Sequence, residues 1–242
     1  MPHSKKLLAG ASGYSYKEWK GNFYPAGIRP EAMLAFYAGR FPTVEINNTF
    51  YRMPEATMLD KWAKQVADGF TFVLKAPQRI THRQKLADSE KDVAYLFDVA
   101  STLGEKLGPV LFQLPPFFKK DAARLRAFLQ TLPARAPVAF EFRHDSWCDD
   151  EIYSILRERD VPLCLSDTDE VTDPNALVIP TASWGYLRLR RTEYSDAAIA
   201  DWVRRIGAQP WQDAYIFFKH EDEARGPLFA ERFRTAWYAL PS

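Results

Sequence analysis

Glu45 and Asn47, Lys75, Gln113, Glu141 and Arg143, Asp167, Arg188 and Arg190, and Lys219 and His220 share one feature. Each stands at or just past the end of a short apolar run. Carboxylates beside arginines and a lysine are the chemistry of an acid–base site for an anionic substrate. Lys75, Arg143, Arg190 and Lys219 would hold a phosphate or carboxylate by Coulomb attraction and bidentate arginine contacts. Glu45 or Glu141 would serve as general acid or base, because neighbouring charge and burial retune a carboxyl group. His144 and His220 are alternative proton carriers. Hydrolase and lyase reactions both fit. The Lys75 amine could form a Schiff base if desolvated, although a lysine beside acids is more often ion-paired.

Phase along the chain places these groups. Glu45 and Asn47 alternate with Val44 and Ile46, Glu141 and Arg143 with Phe140 and Phe142, and Arg188 and Arg190 with Leu187 and Leu189. A period of two is that of a strand with two unlike faces. If helices cover the apolar face, the charged face points inward. Unpaired interior charge costs several kcal/mol per ion, so Glu45 and Glu141 need Arg143, Arg188 or Lys75 nearby. An ion network that only fills the interior would satisfy the same pattern.

Two further features flank these positions. Residues 75–86, KAPQRITHRQKL, carry Lys75, Arg79, Arg83 and Lys85 with His82 and no acid. They form either a solvated basic loop or a local anion collector. Aromatic residues follow several runs: Tyr14, Tyr16 and Trp19, then Phe50 and Tyr51, then Trp147. Flat side chains around a basic cleft can stack sugars or bases, and they also pack under loops. Asn47, Tyr14, Gln113 and Trp147 complete the candidate binding set.

The elements that must position these residues are eight strand-like runs at 7–13, 43–47, 70–76, 109–115, 137–143, 161–167, 185–191 and 214–220. Helical patterns lie between most of them. Pro30 suits a first helical position over 30–40. Ser89, Asp121 and Ser195 stand as N-caps before 90–107, 122–132 and 196–206, and 225–238 closes the series. The connection 168–184 shows no helix. Eight strands with intervening helices predict an α/β protein, a single (β/α)8 TIM-type barrel over residues 1–242, irregular between strands six and seven. A doubly wound open sheet is the rival. In a barrel, ligands sit at the C-terminal strand ends, where the polar residues fall.

Composition narrows the function classes. A net charge of +1 leaves no global polyelectrolyte signature, so an anion site must be local. Cys148 and Cys164 give neither a disulfide framework nor a CxxC site. The four histidines show no HxxH or HExxH spacing, so no metal or other cofactor is expected. There is no GxSxG, P-loop or GxGxxG. No signal-like h-region opens the chain and no run is long enough for a membrane helix. These readings predict a soluble cytoplasmic protein, with no membrane partner, that binds an anionic small molecule. A nucleic-acid-binding or DNA-repair-type protein, suggested by the basic loop and aromatics, is one alternative. A non-catalytic ligand-binding protein is another.

The segments GASGYSYKEWKGNFYP, VEINNTFYRMP, VLKAPQRITH, LFQLPPFF and FEFRHDSW, in this order, resemble the YecE-like family, catalogued as a domain of unknown function. The resemblance spans the first strand to the eighth and implies a TIM-type barrel without naming a reaction. It matches Glu45, Asn47, Thr49, Phe50 and Tyr51, then Lys75, Gln113 and Pro115, then Glu141, Arg143 and Trp147. The C-terminal part departs from the family pattern. Phe218-Lys219-His220 stands where Phe-Asn-Asn is common, Arg190-Arg191 where His-Gly is common, and Phe229-Ala230-Glu231 where an Asn-Ala pair is common. A ligand held there would differ accordingly.

Overall fold

The computed structural model describes residues 5–134, 136–174, 178–219 and 222–240. Eight parallel strands form two sheets of four. One contains β1 (Lys6–Ala11), β8 (Asp213–Phe218), β7 (Gly185–Leu189) and β6 (Leu165–Asp167), in that order. The other runs β2 (Thr43–Ile46), β3 (Thr71–Lys75), β4 (Leu107–Gln113) and β5 (Val138–Glu141). The strands are shorter than their apolar runs, and most end just as the polar residues begin.

The sheets meet along both edges. Ser12, just past β1, bridges in parallel to Glu45, and Phe140 to Leu163 just before β6. At the second seam Phe140 N donates to Pro162 O at 3.1 Å and Cys164 N to Phe140 O at 2.7 Å. At the first, the Tyr37 hydroxyl stands in for a ladder, accepting from Ala11 N at 2.7 Å and donating to Thr43 O at 3.0 Å. Gly10 makes this approach possible, since a Cβ there would lie 2.2 Å from Thr43 O. That is a backbone clash no rotamer can relieve.

Helices α1 (Met33–Ala38), α2 (Asn48–Tyr51) and α3 (Ala56–Ala63) precede β3. One helix fills each later connection except one: α4 (Glu90–Ala100), α5 (Ala122–Thr131), α6 (Asp150–Arg157) and α7 (Asp196–Gly207). The last, α8 (Arg225–Tyr238), follows β8. Between β6 and β7 there is no α-helix among the described residues. Asp121 and Ser195 cap as expected, accepting from Arg124 N at 2.9 Å and Ala198 N at 3.2 Å. Ser89 does not, because its hydroxyl donates backward to Leu86 O at 3.3 Å. Helices α3 and α6 have no counterpart in the sequence reading, although both are amphipathic, burying Leu59 and Trp62 in one and Ile152, Ile155 and Leu156 in the other.

Outward strand residues pack against helices: Leu187, Leu189 and Phe218 beneath α7 and α8, and Phe112 and Phe140 beneath α5 and α6. Inward residues Val73, Leu111, Ala139, Cys164, Tyr186 and Phe217 form a separate apolar layer between the sheets. Along each strand the next inward position, toward its C-terminal end, begins the polar layer. No helix among the described residues is long and apolar enough to cross a membrane.

Candidate functional site

The polar layer is built on Arg188, which is 2% exposed. Its Nε lies 3.0 Å from Glu45 Oε2 and its Nη2 2.9 Å from Oε1, while Nη1 reaches Glu141 Oε2 at 2.8 Å. Ser12 and Tyr186 complete the shell of Glu45, the Tyr186 hydroxyl donating at 2.7 Å. Gln113 Nε2 donates to Glu141 Oε2 at 2.7 Å, and Arg143 Nε stands 3.5 Å from Oε1. Burial opposes ionisation of both carboxyl groups, yet Arg188 outweighs it. Glu45 is held below the usual carboxylate range, with help from its hydrogen bonds to Ser12 and Tyr186. Glu141 is held at about 2, with Arg143, Gln113 and Lys75 adding to the effect of Arg188.

Two features of the site bear on the expectation that Glu45 or Glu141 acts as general acid or base. Both are at most 1% exposed, and both are saturated with donors that favour the charged form. A carboxylate so held favours its charged form. The pair also fails the two-carboxylate pattern of glycoside hydrolysis, which needs one protonated member.

Above the network opens a cleft of about 550 Å³. Lys75, Arg143, Arg188, Arg190 and Lys219 line it, with His82, and no carboxylate is among its described walls. Asn47, Asn48, Gln78 and Gln113 supply amides, and Tyr16, Phe50 and Tyr51 supply rings. The cleft is therefore strongly electropositive although the chain is nearly neutral. Burial and Arg188 lower the affinity of Arg190 for its proton.

Lys75 stands apart within this set. It closes β3 and is 9% exposed. Among the described residues its ammonium makes no ion pair and no hydrogen bond, and it sits over the Phe50 ring, 4.2 Å to the centroid. Burial, then Arg188, pull its pKa down to about 8 against the pull of Glu45 and Glu141. Helix α2 fixes the ring above it: Thr49 Oγ1 donates to Lys75 O at 2.7 Å, which seats Phe50 one residue on. A π-helical turn, Arg79–Arg83, brings His82 edge-on to Phe50 at 4.9 Å. Such turns re-aim side chains that a regular helix would turn away. Burial, Lys75 and Arg143 all lower the His82 pKa, which favours the neutral ring.

The remaining candidates separate. Asn47, Gln113, Arg143, Arg190 and Lys219 line the cleft. His220 lies outside the described residues. Tyr14 borders a smaller pocket beside Asn47, its ring edge-on to Trp62, with burial pushing its hydroxyl up to about 12. Trp147 is not a rim residue. It is 1% exposed, stacks on Phe142 at 4.5 Å, and donates from Nε1 to Phe118 O at 2.6 Å, packing the helical layer outside β5. Asp167 likewise faces outward, gripped by Arg191, Tyr194 and Trp202. His144 turns back to accept from Ser146 N. The basic loop divides: Lys75 and His82 enter the cleft, whereas Arg79 pairs with Asp92 at 2.8 Å and Lys85 sits over Phe117. The sequence reading missed Ser12 and Tyr186. Tyr186 shares the inward phase of Arg188 and Arg190, a signal that was present. Ser12 lies past its strand, where periodicity gives no guide.

A model of the family "Protein of unknown function DUF72" matches residues 8–240. The chain belongs to the DUF72 family. The YecE-like resemblance points to this same family. This DUF72 protein is 26% identical over 222 residues to UPF0759 protein YunF of Bacillus subtilis (strain 168), covering 84% of this chain and 75% of that one. Its fold is similar to that of a DUF72 family protein from Thermotoga maritima MSB8, with a TM-score of 0.78, 23% identity, and coverage of 95% of this chain and 98% of the other. A DUF72 family protein from Enterococcus faecalis V583 is similar at a TM-score of 0.76 and 19% identity, with 98% and 97% covered. Among the described residues no three His, Cys, Asp or Glu side chains are grouped to hold a metal ion.

Proposed function

We propose that this DUF72 protein is an enzyme that binds a small phosphorylated or carboxylated molecule and transforms it in a hydrolase- or lyase-type reaction. One observation carries the reading: beside the Arg188 network, Lys75, Arg143, Arg190 and Lys219 and no carboxylate stand on the described walls of a 550 Å³ cleft. A site that focuses positive charge inside low-dielectric walls favours an anion strongly. Arg143, Arg190 and Lys219 would bind it, with Asn47 and Gln113 orienting its polar atoms. Lys75 is the group with a proton to trade near neutral pH, and His82 is a second. Glu45 and Glu141 take a positioning role, holding Arg188.

The same reading treats residues 1–242 as one (β/α)8 barrel, irregular between β6 and β7. Two seams with parallel bridges support it, and it puts the cleft at the C-terminal strand ends, where such barrels act. The free thiols of Cys148 and Cys164 support a reducing, cytoplasmic setting. A second reading, nucleic-acid binding, is favoured by Tyr51, 73% exposed at the cleft rim, where a base could stack. Its affinity would fall steeply with salt.

Calorimetric titration with inorganic phosphate and with small phosphorylated and carboxylated acids, followed by product analysis, tests the main reading. Binding lost in Arg143→Ala and Arg190→Ala, with turnover lost in Lys75→Met, is expected. Absence of anion binding overturns the reading. Binding without any product overturns its enzymatic half.

A further inference from the structure

The geometry points to Lys75 as an imine-forming lysine whose substrates are small carbonyl compounds carrying a phosphate or carboxylate. The anionic part of this substrate class rests on the function proposed above; the covalent step rests on Lys75 itself.

Three observations meet at this residue. First, its nitrogen is uncommitted: among the described residues Lys75 makes no ion pair or hydrogen bond, because Arg188 has already engaged Glu45 and Glu141. Second, Lys75 lines the cleft although it is only 9% exposed. Third, its surroundings favour the neutral base, with Arg188 and Arg143 nearby and burial lowering its pKa to about 8. A buried lysine kept for packing would carry a paired carboxylate or give way to an apolar residue, because an unpaired interior ammonium is costly. The same environment leaves a nucleophilic lone pair at neutral pH.

In the step, the Nζ lone pair attacks the carbonyl carbon. A C–N bond forms as the C=O π electrons move to oxygen, which takes a proton to give a carbinolamine. The nitrogen gives up a proton. The hydroxyl, protonated in turn, leaves as water while the nitrogen lone pair closes the C=N bond. No oxidant or reductant is consumed. Neutral His82, on the same wall, is the side chain suited to relay these protons. The iminium that results lies against the face of Phe50, whose ring already accommodates a cation at 4.2 Å. Arg190 and Lys219 line the cleft as well and would hold the anionic end of the substrate.

Borohydride trapping tests this directly. The full chain is incubated with pyruvate, with dihydroxyacetone phosphate and with uncharged propanal, each with sodium borohydride, and adducts are mapped by peptide mass spectrometry. Free-base content alone gives an amine at about 8 roughly a hundredfold advantage near neutral pH over an ordinary lysine. Lys75 is therefore expected to be trapped far faster than exposed Lys61 and Lys91, and inorganic phosphate is expected to slow trapping of the two anionic probes. Labelling of Lys75 no faster than that of Lys61 overturns the inference. If phosphate binds calorimetrically but no probe traps Lys75, the imine falls and the anion site stands. If propanal traps Lys75 but phosphate does not bind, the imine stands and the anion site falls. Trapping is read on the unmodified sequence, so the result does not depend on a variant folding.

Discussion

The guanidinium of Arg188 grips Glu45 side-on, with Nε 3.0 Å from Oε2 and Nη2 2.9 Å from Oε1. Its remaining nitrogen, Nη1, reaches Glu141 at 2.8 Å. One interior arginine thus pairs with two interior carboxylates from the opposite sheet, and neither carboxylate forms an ion pair with Lys75 among the described residues.

Arg188→Met is expected to lower the unfolding free energy by about 3–5 kcal/mol near neutral pH, since it strands two buried carboxylates. The deficit has a pH signature. In the wild type Glu141 is depressed to about 2, so its stabilising contribution is present above the unfolded value of 4.5 and is lost as pH falls toward 2. In the variant the contribution of Arg188 is lost, so burial weighs more heavily against the charged form of both groups. The gap between the two proteins should therefore narrow as acid is added, which urea unfolding at several pH values would show.

Lys75→Met is expected to stabilise the fold. Folded Lys75 titrates at about 8 and an unfolded lysine at 10.5, so between these values the unfolded chain binds more protons and wild-type stability rises with pH. At neutral pH the buried charge costs the wild type on the order of 1–3 kcal/mol. The variant's advantage should shrink as pH approaches 10.5. Thermal unfolding of both proteins across the alkaline range checks the sign.

Trp147→Ala is expected to cost about 3–5 kcal/mol of stability. It removes the Phe142 stack and the bond to Phe118 O. Affinity for inorganic phosphate should be unchanged in the folded variant, because Trp147 lies outside the cleft. Urea unfolding paired with calorimetry separates the two effects.

Gly10→Ala is expected to destabilise by about 1–3 kcal/mol through overpacking. The added methyl meets Thr43 O and the Tyr37 hydroxyl at the seam between β1 and β2. Hydrogen exchange should rise first at Ala11 N, whose partner is that hydroxyl.

The sequence carried the positions of the eight strands and the shared phase of Glu45, Glu141, Arg188 and Arg190, because a two-residue period is local and survives without a structure. It did not carry who pairs with whom. Glu45 and Arg188 are 143 positions apart, and only the meeting of the sheets decides that Arg188, not Lys75, holds both acids. Trp147 was misread for a related reason: an aromatic just past a strand can turn toward the cleft or back under the helices, and Phe142 and Phe118 settle which. The eight-residue helices α3 and α6 were passed over although their apolar residues, Leu59 and Trp62, and Ile152, Ile155 and Leu156, share one face in each. His82 was visible as part of a basic loop, but the π-helical turn that brings it to Phe50 has no composition of its own.

The central claim is that Lys75 sheds its proton at about 8, well below an ordinary lysine, because burial and Arg188 disfavour its charged form. Competitive acetylation with acetic anhydride over a range of pH, read at the Lys75 peptide by mass spectrometry, measures this directly. The account predicts a reactivity midpoint at about 8, moving upward when inorganic phosphate fills the cleft. A midpoint at the ordinary lysine value of 10.5, unmoved by phosphate, would contradict it.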